Sequence, residues 1–217
     1  MNITHVATKV IEGDKLKAIF EQQRSLMEKY ESIEAKSGLL QTSDIPVKLD
    51  DKRGQARLKD FSWRVTEELG EALDAMEEGD QPHFQEELID GLHFLTELTI
   101  LAGKNYDTIS TFEPYQGDEN DHLQMLFNDG VDKDIATIQL GVTKFIQALG
   151  MTCNCLKNKP WKQSQMLTDK EVFYDRLEQT WIYYMAILNC ANMNPTSITD
   201  IYFKKATVNQ FRQRSNY

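Results

Sequence analysis

Apolar residues recur along this chain at spacings of three and four, and nowhere with a convincing period of two, so the pattern predicts helix after helix. The first runs from Asp14 or Lys15 to Glu34, with Leu16, Ile19, Phe20, Leu26 and Met27 on its apolar side. Residues 36–55 contain Gly38, Pro46 and Gly54 among polar neighbours and read as a connecting loop. Two helical patterns then follow within the stretch from Trp63 to Phe94. Between them, Glu78-Gly79-Asp80-Gln81-Pro82 carries the helix-stop and turn residues that let the pair fold back as an αα-hairpin. The second arm continues to Ala102, with Gly103 as its C-cap. A polar, acidic stretch from Lys104 to Lys133 holds a short helix at His122 to Phe127. Helical spacing returns from Asp134 to Gly150 through Ile135, Ile138, Val142, Phe145 and Leu149. Asp169 is the expected N-cap of a helix reaching Ala191, and Pro195 with Thr196 opens a last one from Ser197 to Arg212.

The hairpin is acidic as well as amphipathic. Its first arm contains Glu68-Leu-Gly-Glu71 and its second Glu87-Leu-Ile-Asp90. Residues three apart lie roughly 60° apart around a helix and about one turn apart along it, so each pair shares a face. Two such arms side by side would gather Glu68, Glu71, Glu87 and Asp90 into an oxygen-only donor set suited to Mg²⁺ or Mn²⁺. One Glu-x-x-Glu alone is ordinarily a solvated helix face. Doubling across one tight turn argues against that reading, because carboxylates facing the leucines of their own helices need a compensating cation.

A weaker pattern pairs the two halves of the chain. Glu68-Leu69-Gly70 aligns with Gln139-Leu140-Gly141, and Leu88 to Phe94 with Leu177 to Tyr183. In that register Glu68, Glu87 and Asp90 become Gln139, Arg176 and Gln179. The expectation is an all-α bundle with a four-helix core made of two related helical hairpins, only one of which carries the acids.

Length, charge and cysteine content narrow the possibilities. The chain has 217 residues and a net charge of −10, enough to bury a proper core and unsuited to binding nucleic acid or an anionic membrane through a basic face. No apolar run approaches a membrane span and the N-terminal residues lack a signal-peptide core, so a cytoplasmic location is expected. Cys153, Cys155 and Cys190 lack zinc-ligand spacing and are read as reduced, mostly buried thiols. Against the acidic background, the last sixteen residues collect Lys204, Lys205, Arg212 and Arg214 with Tyr202, Phe211 and Tyr217. They read either as a phosphate-binding cluster or as cations complementing a helix C-terminus.

Glu68-Leu-Gly-Glu71, Glu87-Leu-Ile-Asp90 with His93-Phe94, and Tyr202, Lys205, Asn209, Phe211, Arg212, Gln213 and Tyr217 together resemble the all-α dimeric dUTPases, and especially the phage dCTPase/dUTPases. Lys159-Pro160-Trp161-Lys162 points to the phage branch. The paired acidic motif is shared with MazG-related pyrophosphohydrolases, and the terminal Asn-x-Phe-Arg-Gln separates the two.

The resemblance implies one NTP pyrophosphohydrolase domain over residues 1–217, a homodimer, and Mg²⁺-dependent hydrolysis of dUTP or dCTP to the monophosphate and pyrophosphate. It also implies a location in the host cytoplasm if the protein is of phage origin. Glu68, Glu71, Glu87 and Asp90 match the metal ligands, with Glu71 also orienting water. Lys205, Arg212 and Tyr217 match phosphate-contacting positions, Asn209 and Lys162 match substrate-binding ones, and Gln22 and Trp161 stand near the base. His93 belongs to the packed helix and is not a catalytic base. Ala206 and Asn216 replace the Asn and Gly usual in the closing segment, where base and sugar preference is set. A MazG-like enzyme of another base preference, and a non-catalytic helical binding protein, are the alternatives.

Overall fold

The computed structural model describes residues 3–36, 42–109, 121–159 and 161–214. Among them are seven α-helices and no strand, an all-α bundle. The helices are α1 (Lys15–Lys36), α2 (Lys52–Glu78), α3 (Gln81–Leu101), α4 (His122–Val131), α5 (Ile138–Cys155), α6 (Lys170–Cys190) and α7 (Pro195–Arg214), with short 3₁₀ turns at Ile3–His5 and Thr42–Asp44.

Local chemistry sets these boundaries. Asp51 accepts hydrogen bonds from the backbone N–H groups of Arg53 and Gly54, Asp80 from His83, Asp121 from Gln124, Thr137 from Leu140 and Asp169 from Val172. Each such cap contributes about 1 kcal/mol. The Asp51 cap starts α2 inside the stretch that glycine and proline content assigned to a loop. Thr137 starts α5 later than expected, and Asp134, at φ 49°, lies in the left-handed region outside the helix. Beyond Gly150, which meets nothing where a Cβ would stand, α5 runs on to Cys155. α4 is also longer than its sequence pattern suggested, ending at Val131. The sharpest turn follows the expectation: Gly79, at φ 77°, donates to the Met76 carbonyl at 3.1 Å while Asp80 donates to Ala75 at 3.0 Å, closing a Schellman motif before α3 begins.

That turn lays α2 antiparallel along α3. α5 packs on α6, which also carries α4, while α1 and α7 pack on α3 and on each other. Phe20 of α1 stacks on the fully buried Trp181 of α6 with ring centroids 6.1 Å apart, and the Trp181 indole donates to Thr99 of α3 at 2.8 Å. α3 is thus held from several sides, which fixes the residues it presents. Gly91 allows the closest approach: a Cβ there would stand 2.2 Å from the hydroxyl of Tyr184, which donates to the Leu88 carbonyl at 2.6 Å. The three cysteines are free and half-buried rather than mostly buried, and burial raises each thiol pKa.

Candidate metal and nucleotide site

Three of the four expected acids converge. Glu68 and Glu71 of α2 and Glu87 of α3 each place a carboxylate oxygen within 4.8 Å of the others. Glu71 is exposed, Glu68 half-buried and Glu87 buried. Burial, reinforced by Asp90, by Glu87 through charge and a shared hydrogen bond, and by Glu71, pushes the Glu68 carboxyl up to about 8. His83, one turn before Glu87, holds it through Nε2 to Oε1 at 2.8 Å. An oxygen-only group whose negative charges oppose each other's ionisation fits a hard divalent cation, which would relieve that opposition.

Asp90, the fourth, turns to a cation supplied from far along the chain. Its Oδ2 lies 2.5 Å from Lys205 Nζ of α7, and Glu86 Oε2 lies 3.6 Å from the same nitrogen. Burial raises the Asp90 carboxyl to about 6, with Lys205 pulling it down and Glu87 and Glu86 pushing it further up. Burial alone would lower the Lys205 ammonium, but Asp90, Glu87 and Glu86 outweigh it and the net shift is upward.

A cleft of about 350 Å³ opens beside these acids. Glu68 and Asp90 mark one end; Phe61 and Arg64 of α2, Phe94 and Glu97 of α3, and Gln23 and Leu26 of α1 line the rest. Asn209 and Arg212 of α7 complete it and also face a second groove, which contains Lys205 and His83. The guanidinium of Arg64 lies 5.1 Å from the Phe61 ring centroid and 5.7 Å from that of Phe94, so a cation and two aromatics share one wall.

The other expected site residues are distributed unevenly. Lys205, Asn209 and Arg212 lie at the cleft or the adjoining groove. Gln22 does not line the cleft; its neighbour Gln23 does. Trp161 is exposed, with Lys159 Nζ 5.3 Å from its ring, and the Lys162 carbonyl accepts from Lys52 at the opposite end of α2. Sixteen residues of helix, about 24 Å, separate Lys52 from Glu68, so neither Trp161 nor Lys162 meets this chain's own acids. Asn158 pins their loop at that end by donating to the carbonyls of Asp50 and Met166 at 2.8 and 2.7 Å. Tyr217 lies outside the described residues.

Residues absent from the expected set include Phe61, Arg64, Gln23, Glu97 and His83. Phe61, Arg64, Glu68 and Glu71 follow one another at spacings of three and four, as do Glu87, Asp90, Phe94 and Glu97. Extending each acidic face toward the far end of its helix would have found most of the cleft.

A protein-family model described as dUTPase matches residues 15–217. No curated protein and no solved structure matches the chain.

Proposed function

The chain belongs to the dUTPase family, and on that premise we propose that it hydrolyses dUTP, and dCTP as a second pyrimidine substrate, to the monophosphate and pyrophosphate in a Mg²⁺-dependent reaction. Membership supports a nucleotide diphosphatase in general. The observation that carries the metal-dependent part of that reading is the convergence of Glu68, Glu71 and Glu87 beside a cleft that Glu68, Arg212 and Asn209 line.

Glu68, Glu71 and Glu87 would hold Mg²⁺, with Asp90 joining them once Lys205 is drawn to the phosphates, and Mn²⁺ suits the same oxygens. When bound, the ion supplies charge to neutralise the triphosphate and to make a coordinated water more acidic. Glu71, the most accessible of the acids, accepts a proton from the attacking water and orients it in this reading. Lys205 and Arg212 meet the remaining phosphate charge, so that negative charge developing on the departing pyrophosphate is opposed by fixed cations. Asn209 positions the nucleotide on the α7 side, and Tyr217 belongs to the same C-terminal segment. Phe61 and Phe94 offer apolar faces for the base. The working form is taken to be a cytoplasmic homodimer, which sedimentation equilibrium would test.

The direct test is pyrophosphate release from each deoxynucleoside triphosphate, with Mg²⁺ and with a chelator. Release from dUTP and dCTP that the chelator abolishes is expected. Release only from purine substrates would overturn the base assignment. No release from any, together with a nucleotide-induced thermal shift, would make the protein a binding module.

A further inference from the structure

The cleft wall contains a hydrogen-bonded chain that the hydrolysis as proposed leaves unused. Glu97 Oε2 accepts from Gln23 Nε2 at 2.8 Å. An ionised carboxylate only accepts, so this contact fixes which end of the Gln23 amide faces it. Gln23 Oε1 then faces away, accepting from the Tyr202 hydroxyl at 2.9 Å and contacting His93 Nδ1 at 3.0 Å. A carbonyl oxygen cannot donate, so Nδ1 must carry the proton. A neutral imidazole has one N–H, and Nε2 is therefore left as a bare acceptor.

His93 is 6% exposed, and its Nε2 has no hydrogen-bond partner among the described residues. Burial, with the Lys205 ammonium acting in the same direction and outweighing the opposing backbone contact from Tyr202, holds the imidazole down to about 3, so the ring stays neutral under ordinary conditions. The Tyr202 ring stacked at 3.7 Å keeps it in plane. Buried acceptors are normally satisfied. Three side chains arranged so that one nitrogen is an acceptor without a donor imply a donor that arrives with the ligand.

Its position suggests which donor. On α3, His93 stands about one turn beyond Asp90 and about two beyond Glu87, before the Phe94 and Glu97 end of the cleft. A nucleotide with its phosphates at the acids and its base at the aromatic end has its sugar alongside His93. We propose that His93 Nε2 accepts the 3′-hydroxyl proton of the bound deoxynucleotide, and that Gln23 and Glu97 are positioning residues that set its tautomer. This rests on the nucleotide-binding part of the proposed function, and it leaves His93 without a role in proton transfer.

The test is calorimetric binding, with Mg²⁺, of α,β-imido-dUTP and of its 3′-deoxy counterpart, neither of which requires turnover. The wild-type protein should prefer the hydroxylated ligand about tenfold or more. His93→Phe, which keeps a ring against Tyr202, should bring the two affinities together. Equal loss for both ligands, with the preference intact, would show a merely structural histidine and overturn the proposal. Glu97→Gln provides an independent arm: ¹⁵N shifts should report the Nδ1–H tautomer in the wild type and a mixture in the variant, with a reduced ligand preference. A wild-type spectrum of the Nε2–H tautomer would equally overturn it. Absent hydrolysis of dUTP with this preference retained would defeat the proposed reaction alone.

Discussion

The α2–α3 and α5–α6 pairs, which the sequence aligns with each other, treat polar residues in opposite ways. Across α2 and α3, Glu68, Glu87 and Asp90 are drawn out of full solvent, and the Glu68 and Asp90 carboxyls are raised to about 8 and about 6. At the aligned positions of the other pair, Gln139 and Arg176 are exposed and Gln179 is half-buried. The polar contact buried between α5 and α6 is neutral, Thr152 against Thr180 at 3.1 Å, and the one acid α6 buries, Glu178, shares a groove with Asp129 and Asp132 at the end of α4 and not with α5. An uncharged pairing carries no electrostatic penalty, whereas crowded carboxylates do. The acids are therefore not needed to hold helices together, and α2–α3 tolerates their cost because Gly91, Tyr184 and the apolar surfaces of α1, α6 and α7 brace α3.

The largest expected effect is on chemistry. Glu71→Gln should keep the helix, since both residues are good helix formers, and should lower pyrophosphate release at least about 100-fold. Near-normal turnover at saturating Mg²⁺ would remove Glu71 from the mechanism. Next comes the brace: Gly91→Ala drives a Cβ into the Tyr184 hydroxyl and should cost about 1–3 kcal/mol in urea unfolding, with an unchanged midpoint showing that the contact yields freely.

A pH effect follows from the acids themselves. The folded, metal-free protein retains a proton on Glu68 that the unfolded chain releases near 4.5, so stability should fall as pH rises from there to about 8. Asp90 adds the same sign between 3.8 and about 6. Urea midpoints at pH 6 and pH 8 should differ without metal, and Glu68→Gln or saturating Mg²⁺ should narrow the gap. The smallest effects belong to the other pair: Gln139→Ala and Arg176→Ala should each stay within about 0.5 kcal/mol and leave turnover unchanged. A loss of activity there would mean that the charged and neutral pairs are not functionally distinct.

Features encoded locally were legible in the sequence. Asp169 caps α6, Gly79 closes α2, and the doubled acidic motif falls on facing helices, because capping, turn chemistry and helical periodicity all act within a few residues. What was missed depends on distance or on single-residue register. The approach of Lys205 to Asp90 joins positions 115 residues apart and exists only once α7 packs on α3. Gln22 and Gln23 are adjacent and identical in type, yet the packing of α1 turns only the second toward Glu97. Trp161 and Lys162 were expected at the site through the family resemblance, but Asn158 ties their loop to the far end of α2. The start of α2 was hidden because Gly54, a helix breaker by propensity, is needed where α2 passes the Lys48 carbonyl, 2.8 Å from where a Cβ would stand.

The central claim is that the acids of α2 and α3 form one divalent-cation centre. Titrating Mn²⁺ into the metal-free protein and following the free-ion paramagnetic resonance signal tests it most directly. Saturable binding is expected in the wild type, retained in Gln139→Ala and lost in a Glu68→Gln, Glu87→Gln double variant that remains folded. Absence of saturable binding in the wild type, or its persistence in that double variant, would contradict the account.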